Sequence, residues 1–200
     1  MCSNGLLMAY IMCAIHVTVL KLANMHAHIL IYDCADVPIL FRMSATTLKY
    51  GEDIELLAPA GSFEALVAAV QNGANAIYLG GQKFGARAFA HNFDYAALKE
   101  AVDYCHLRNV KLYVTVNTLY NNAEIDEIFD YLKYLYHIGV DALIIQDMGL
   151  FSLIKNHFPD IEIHMSTQAS VRNIEGVKYF AKQNIDRVVL AREMNIREIE

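Results

Sequence analysis

The sequence predicts an α/β chain folded as a TIM-type (β/α) barrel, incomplete, with about six of the eight strand–helix units. Three observations carry this. From Ile54 onward, strand-like and helix-like segments alternate without a hairpin signal. A motif also recurs: Gly73-Ala74-Asn75-Ala76-Ile77-Tyr78-Leu79 is echoed by Gly139-Val140-Asp141-Ala142-Leu143-Ile144-Ile145 and by Asn184-Ile185-Asp186-Arg187-Val188-Val189-Leu190. Each copy has a Gly or Asn that can end a helix in the left-handed conformation, then an apolar residue and a short polar one. An apolar run suited to a strand buried on both faces follows. Finally, the units recur about every 25 residues, the pace of an eight-fold barrel of about 250 residues. A doubly wound sheet is the competing topology, but no G-x-G-x-x-G fingerprint follows the first strand. Two strands are thus expected to be missing, as in a fragment or a subdomain that something else completes.

The elements are expected in this order. Ile54–Leu57 is a short strand and Ala58-Pro59-Ala60-Gly61 the turn after it. Ser62 caps the first helix, with Leu66, Val67 and Val70 as its stripe and Gly73 as its stop. Ala76–Leu79 is the second strand, and a long loop from Gly80 to Phe93 leads to Asp94 as the next N-cap. Leu98, Ala101, Val102 and Cys105 share one face of the helix behind it. The third strand is Lys111–Val116. Its helix, near 123–137, carries Ile125, Ile128, Phe129, Leu132, Leu135 and Tyr136 as a buried stripe, with acidic residues in the first turn. Strands four to six are Asp141–Ile145, Ile161–Met165 and Arg187–Leu190, and a sixth helix begins near Asn195.

Residues 1–49 read differently, as an apolar leader without a period, set before the barrel portion at 50–200. The uncharged stretch Gly5–Leu20 falls short of the roughly 20 residues that span a bilayer. No Lys or Arg precedes it, as a signal peptide would require. Met43 is therefore expected to begin the domain proper, with no membrane association. Composition agrees with a globular protein: 56 % of the 200 residues are hydrophobic and 19 % charged. The net charge of −6 offers no broad attraction to nucleic acid or anionic lipid, although a local basic groove is compatible with it. Cys2, Cys13, Cys34 and Cys105 lack any CxxC spacing and read as reduced thiols of a cytoplasmic protein.

Active sites of such barrels gather at the C-terminal ends of the strands. The candidate substrate-binding residues there are Arg87, Asn117, Gln146, Asp147, Gln168, Arg192 and Glu193. Arg87 suits bidentate binding of a phosphate or carboxylate. Two of these residues have plainer readings, Asp147 as a helix cap and Arg192 as the partner of an acid such as Glu193. No catalytic residue is assignable, since Ser62 lies in no G-x-S-x-G elbow and no H-E-x-x-H motif occurs. His26-Ala27-His28 has the form of a metal pair, with His164 as the strand histidine that would join it, but the pair lies in the leader.

The stretches Glu55-Leu56-Leu57-Ala58-Pro59-Ala60-Gly61-Ser62 and Ala76-Ile77-Tyr78-Leu79-Gly80-Gly81 resemble the opening of the collagenase-like peptidase family U32. Phe84-Gly85-Ala86-Arg87-Ala88-Phe89-Ala90 with Asn92-Phe93 is the most specific piece, and Val114-Thr115-Val116-Asn117-Thr118 and Leu190-Ala191-Arg192-Glu193 also fit. The resemblance covers about residues 54–200. It implies peptidase activity by the family's name. By its better-understood members it implies iron–sulfur-dependent, oxygen-independent hydroxylation of tRNA or rRNA bases, with prephenate implicated, or of quinones. The cysteine motif expected to hold such a cluster lies further along chains of this kind. No cofactor is therefore expected within these 200 residues, and an RNA or peptide substrate is expected through the complete protein. A metal-dependent barrel hydrolase and a non-catalytic fragment are the alternatives. Open sheet edges would also invite self-association.

Overall fold

The computed structural model describes residues 19–21, 55–86 and 92–199. The elements are β1 (Val19–Lys21), β2 (Leu57–Pro59), α1 (Phe63–Gln71), β3 (Ala76–Gly80), α2 (Tyr95–His106), β4 (Lys111–Val116), α3 (Ile125–Ile138), β5 (Ala142–Ile145), α4 (Met148–His157), β6 (Glu162–Met165), α5 (Ile174–Lys182), β7 (Arg187–Val189) and α6 (Ile196–Ile199). Short 3₁₀ turns at 122–124 and 167–169 precede α3 and α5. The sheet order is β1-β7-β6-β5-β4-β3-β2. Strands β2 to β7 are all parallel and alternate with helices, which makes a half-barrel of the TIM type, as the alternation predicts.

Two strands differ from expectation. The first parallel strand runs over Leu57–Pro59, so Ala58 and Pro59 belong to it and not to the turn. Pro59 is tolerated because β2 ends the sheet among the described residues and needs no outer donor. The other is β1, from the segment read as having no periodic element. It pairs antiparallel with β7, Val19 opposite Val189 and Lys21 opposite Arg187, so the outer edge of β7 is not open as expected.

The echoed motif has a physical role. Gly73, Gly139 and Asn184 have φ of +90°, +85° and +58°, the left-handed helix ends that the motif implies. The polar residue two positions on does the same task each time. Asn75 Oδ1 accepts the Leu56 N–H at 2.8 Å, Asp141 Oδ2 the Leu112 N–H at 2.7 Å, and Asp186 Oδ2 the Ile163 N–H at 2.8 Å. The backbone N–H of each donates back to the carbonyl of the same residue, at 2.9, 3.0 and 3.1 Å. Each new strand is thereby clamped to its predecessor at the end away from the loops that follow the strands, and the register is pinned.

Helix packing follows the sequence closely, with one shift. Ser62 Oγ and Asp94 Oδ1 cap their helices at 3.2 and 2.8 Å. Leu98, Ala101, Val102 and Cys105 are all buried. On α3 the buried stripe is Ile128, Tyr131, Leu132, Leu135 and Ile138. Tyr136, expected in it, is exposed, and Ile125 and Phe129 are half-buried. The larger core lies between the sheet and these helices, while Leu57, Ala76, Tyr113, Ala142, Ile144 and Val189 form a smaller cluster on the concave face.

Candidate functional site

The concave face is closed below by charges. Arg187, on β7, forms an ion pair with Glu55, immediately before β2 at the far side of the sheet, and its Nη2 reaches Oε2 at 3.4 Å. Contact between the two flanks of the sheet shows how far it curls. Tyr113 donates its hydroxyl to the same Oε2 at 2.9 Å, and its ring meets His164 edge-on at 4.7 Å. His164 Nε2 lies 3.3 Å from Glu162 Oε2, and Lys111 Nζ 3.6 Å from Glu162 Oε1. Two acids and two bases balance in this layer, where aliphatic side chains fill most barrels of this type.

Burial and pairing fix the charge states. Burial raises the Glu55 carboxyl, but the Arg187 and Tyr113 contacts outweigh it and leave Glu55 below the usual range. Burial drives the Tyr113 phenol upward and the His164 imidazole downward. His164 is therefore neutral and donates Nε2–H to Glu162, which that hydrogen bond, with Lys111 nearby, holds down at about 2.

Above this floor, at the C-terminal ends of the strands, opens a cavity of about 340 Å³. Its walls include Pro59, Tyr78, Gly80, Thr115, Asn117 and Ser166, with Gln168 and Arg192. Asn117 stands at the end of β4 and uses both ends of its amide: Oδ1 accepts the Ala86 N–H at 3.1 Å, and Nδ2 donates to Ser166 Oγ at 3.4 Å. It ties the loop after β3 to the end of β6. The Phe84 carbonyl accepts hydroxyls from Thr118 and Tyr120, at 3.2 and 3.3 Å, which fixes the loop a second time. Gly80 and Gly85 keep the wall low, since a Cβ at either would meet Thr115 Oγ1 at 3.2 or 3.5 Å. The side chains of Gln168 and Arg192 have no partner among the described residues.

A family model for peptidase family U32 matches residues 61–200. The chain belongs to that family. Among curated U32 relatives, tRNA hydroxylation protein P1 of Bacillus subtilis is 40 % identical over 145 residues, covering 72 % of this chain and 34 % of its own. The 23S rRNA 5-hydroxycytidine C2501 synthase of Escherichia coli is 39 % identical over 146 residues, with coverages of 73 % and 22 %. The chain thus spans about a third or less of the length of these relatives. The solved structure of the U32 peptidase Mk0906 superposes with a TM-score of 0.57 at 17 % identity, covering 69 % of this chain and 58 % of its own, in agreement on the fold.

Within this U32 half-barrel the predicted site residues separate. Asn117, Gln168 and Arg192 line the cavity, while Gln146, Asp147 and Glu193 do not. Asp147 caps α4 by accepting the Leu150 N–H at 2.9 Å, and it also accepts the Tyr120 N–H at 3.4 Å. Glu193 is exposed and forms no ion pair with Arg192. Arg87 lies outside the described residues. The floor residues Glu55, Tyr113 and Arg187 were not among the candidates. Their signal was an Arg at the third echo's strand start, where the other two copies carry Ala76 and Ala142: a charge in a buried strand requires a partner.

The described residues do not fit the iron–sulfur cluster that the family resemblance implies. Cluster ligands are thiolates, and Cys105, the one cysteine described, is fully buried on α2 with its thiol pushed up to about 11, chiefly by burial. No group of three or more His, Cys, Asp or Glu side chains among the described residues could hold a metal ion. Cys2, Cys13, Cys34, His26 and His28 lie outside them. No described helix is long and apolar enough to cross a membrane.

Proposed function

We propose that this U32 chain forms the substrate-binding half-barrel of an RNA base-hydroxylating enzyme, with its cavity receiving one base drawn out of the RNA. The observation that carries the reading is the cavity itself. At about 340 Å³ it lies at the small end of ligand pockets, suited to a single planar ring and not to a folded peptide segment. Relatives near 40 % identity carry names of tRNA and rRNA hydroxylation. Enzymes that modify a base extrude it from the stack into such a pocket and read its polar edge by hydrogen bonds.

The residues divide the work accordingly. Gln168 offers an unused amide, with one acceptor and two donors, to the edge of a base. Asn117, consumed by Ala86 and Ser166, shapes the wall and does not read the ligand. The neutral His164 and the sealed Glu55–Arg187 pair give the floor no free acid or base, so this portion binds and orients. Proteolysis gains no support from the geometry. Ser62 Oγ accepts the Ala65 N–H and Ser166 Oγ the Gln168 N–H, and no described serine or threonine hydroxyl is bonded to a histidine.

The test is the nucleoside inventory of tRNA and rRNA from cells with the gene intact, deleted and restored. A hydroxylated nucleoside is expected to vanish on deletion and return on restoration. An unchanged inventory would overturn the reading.

A further inference from the structure

Most of the described Lys and Arg side chains are already engaged. Lys83, Lys99, Lys111, Lys133, Lys155, Lys178 and Arg187 sit in ion pairs, and Arg108 lies over the Tyr104 ring and bonds its carbonyl. Four cations have no side-chain partner among the described residues: Arg172, Lys182, Arg192 and Arg197. Lys182 is at the C-terminal end of α5, away from the cavity. Arg172 and Arg192 follow residues that the backbone brings together beside it. The Ala191 N–H donates to the Val171 carbonyl at 3.0 Å, so the segments after β6 and β7 run side by side, and the next residue of each is an exposed arginine. Arg192 also lines the cavity.

In a chain of net charge −6, two exposed arginines on adjoining segments, without an ion partner among the described residues, raise the local potential where the rest of the molecule lowers it. A guanidinium without a carboxylate partner keeps its fork of donors for a ligand, and phosphate oxygens match that fork. We infer that Arg172 and Arg192 form a phosphate clamp that holds the RNA backbone on either side of the nucleotide whose base enters the cavity. The clamp rests on the RNA reading above and adds to it a pair of positioning residues. These supply affinity and register and carry no base preference.

The test is binding of an unmodified tRNA transcript by the protein at a series of salt concentrations. Each phosphate contact contributes about 0.7 to 0.9 to the slope of log affinity against log salt. Arg172→Ala with Arg192→Ala is expected to lower the slope by about 1.4 to 1.8, whereas Lys182→Ala leaves it unchanged. Arg172→Lys with Arg192→Lys keeps both charges and restores most of the slope, which separates the clamp from misfolding. If the parent protein binds and the double alanine variant keeps its slope, the clamp is wrong and the RNA reading stands. If the parent protein does not bind the transcript, the RNA reading fails and the clamp with it.

Discussion

Gly81 offers a sharp test of the packing that holds the cavity loop. A Cβ there would lie 2.0 Å from Tyr131 Oη, 3.2 Å from its Cζ and 3.5 Å from Leu98 Cδ1. The Tyr131 ring has nowhere to retreat, because Phe84 and Tyr95 pack against it at 5.6 and 5.9 Å. Gly81→Ala is therefore expected at the upper end of overpacking costs, about 3 kcal/mol. At about 2–4 °C per kcal/mol for a chain of this size, that is a fall in Tm of about 6–12 °C. The Tyr131 hydroxyl is itself buried with no hydrogen-bond partner among the described residues. Tyr131→Phe removes an unsatisfied group and should be neutral or stabilising by about 1 kcal/mol. In that background Gly81→Ala retains the 3.2 Å contact with the ring and the ordinary 3.5 Å one with Leu98, and should cost about 1 kcal/mol. Thermal and urea unfolding of the four proteins gives the coupling, expected near 2 kcal/mol. Equal costs of Gly81→Ala in the two backgrounds would refute the account of this contact.

Further outcomes follow from the floor and the helices. Removing one partner of the buried ion pair, in Glu55→Gln, leaves Arg187 uncompensated and should cost about 3–5 kcal/mol in urea unfolding. Glu162 and Glu55 have folded values below their unfolded ones, so their stabilisation is complete above the ordinary carboxylate range and is lost as pH falls, for Glu162 toward about 2. His164, also lowered, adds a loss that begins below the ordinary histidine value. The urea midpoint should accordingly fall from pH 7 to pH 3, and Glu162→Gln should flatten its acid limb. Cys105, buried and with a raised value of about 11, should resist iodoacetamide at pH 8 until the protein is unfolded, as read by mass spectrometry of its peptide. Asp147→Ala should cost about 1 kcal/mol through the lost cap on α4 and leave RNA binding unchanged.

The half-barrel was legible because its signals are local and repeated. Gly73, Gly139 and Asn184 each stop a helix, and Asn75, Asp141 and Asp186 each clamp a strand, so one reading of the motif places three strands. The α3 stripe slipped because Tyr131 and Ile138 lie on the helical line through Ile128 and Leu135, while Tyr136 lies one position off it. An aromatic residue beside the stripe is attractive on composition alone, and only packing decides between the two tyrosines. The first strand was misplaced because Pro59 reads as a turn residue unless its strand is known to end the sheet. Strand β1 has three residues paired to partners 166 to 170 positions away, and no local pattern announces such a pairing. The mouth of the site was partly legible, since Asn117, Gln168 and Arg192 all stand at strand ends. The floor was not, because Glu55 and Arg187 are 132 positions apart and meet only when the sheet curls.

The central claim is that an RNA base enters the cavity at the C-terminal ends of these strands. Photocrosslinking of a tRNA transcript containing 4-thiouridine, followed by mass mapping of the attached peptides, tests it most directly. Crosslinks are expected on the segments that carry Gln168, Arg172 and Arg192, and competition with unlabelled transcript should abolish them. Crosslinks confined to the outer faces of α2 and α3, with none at the strand ends, would contradict the claim.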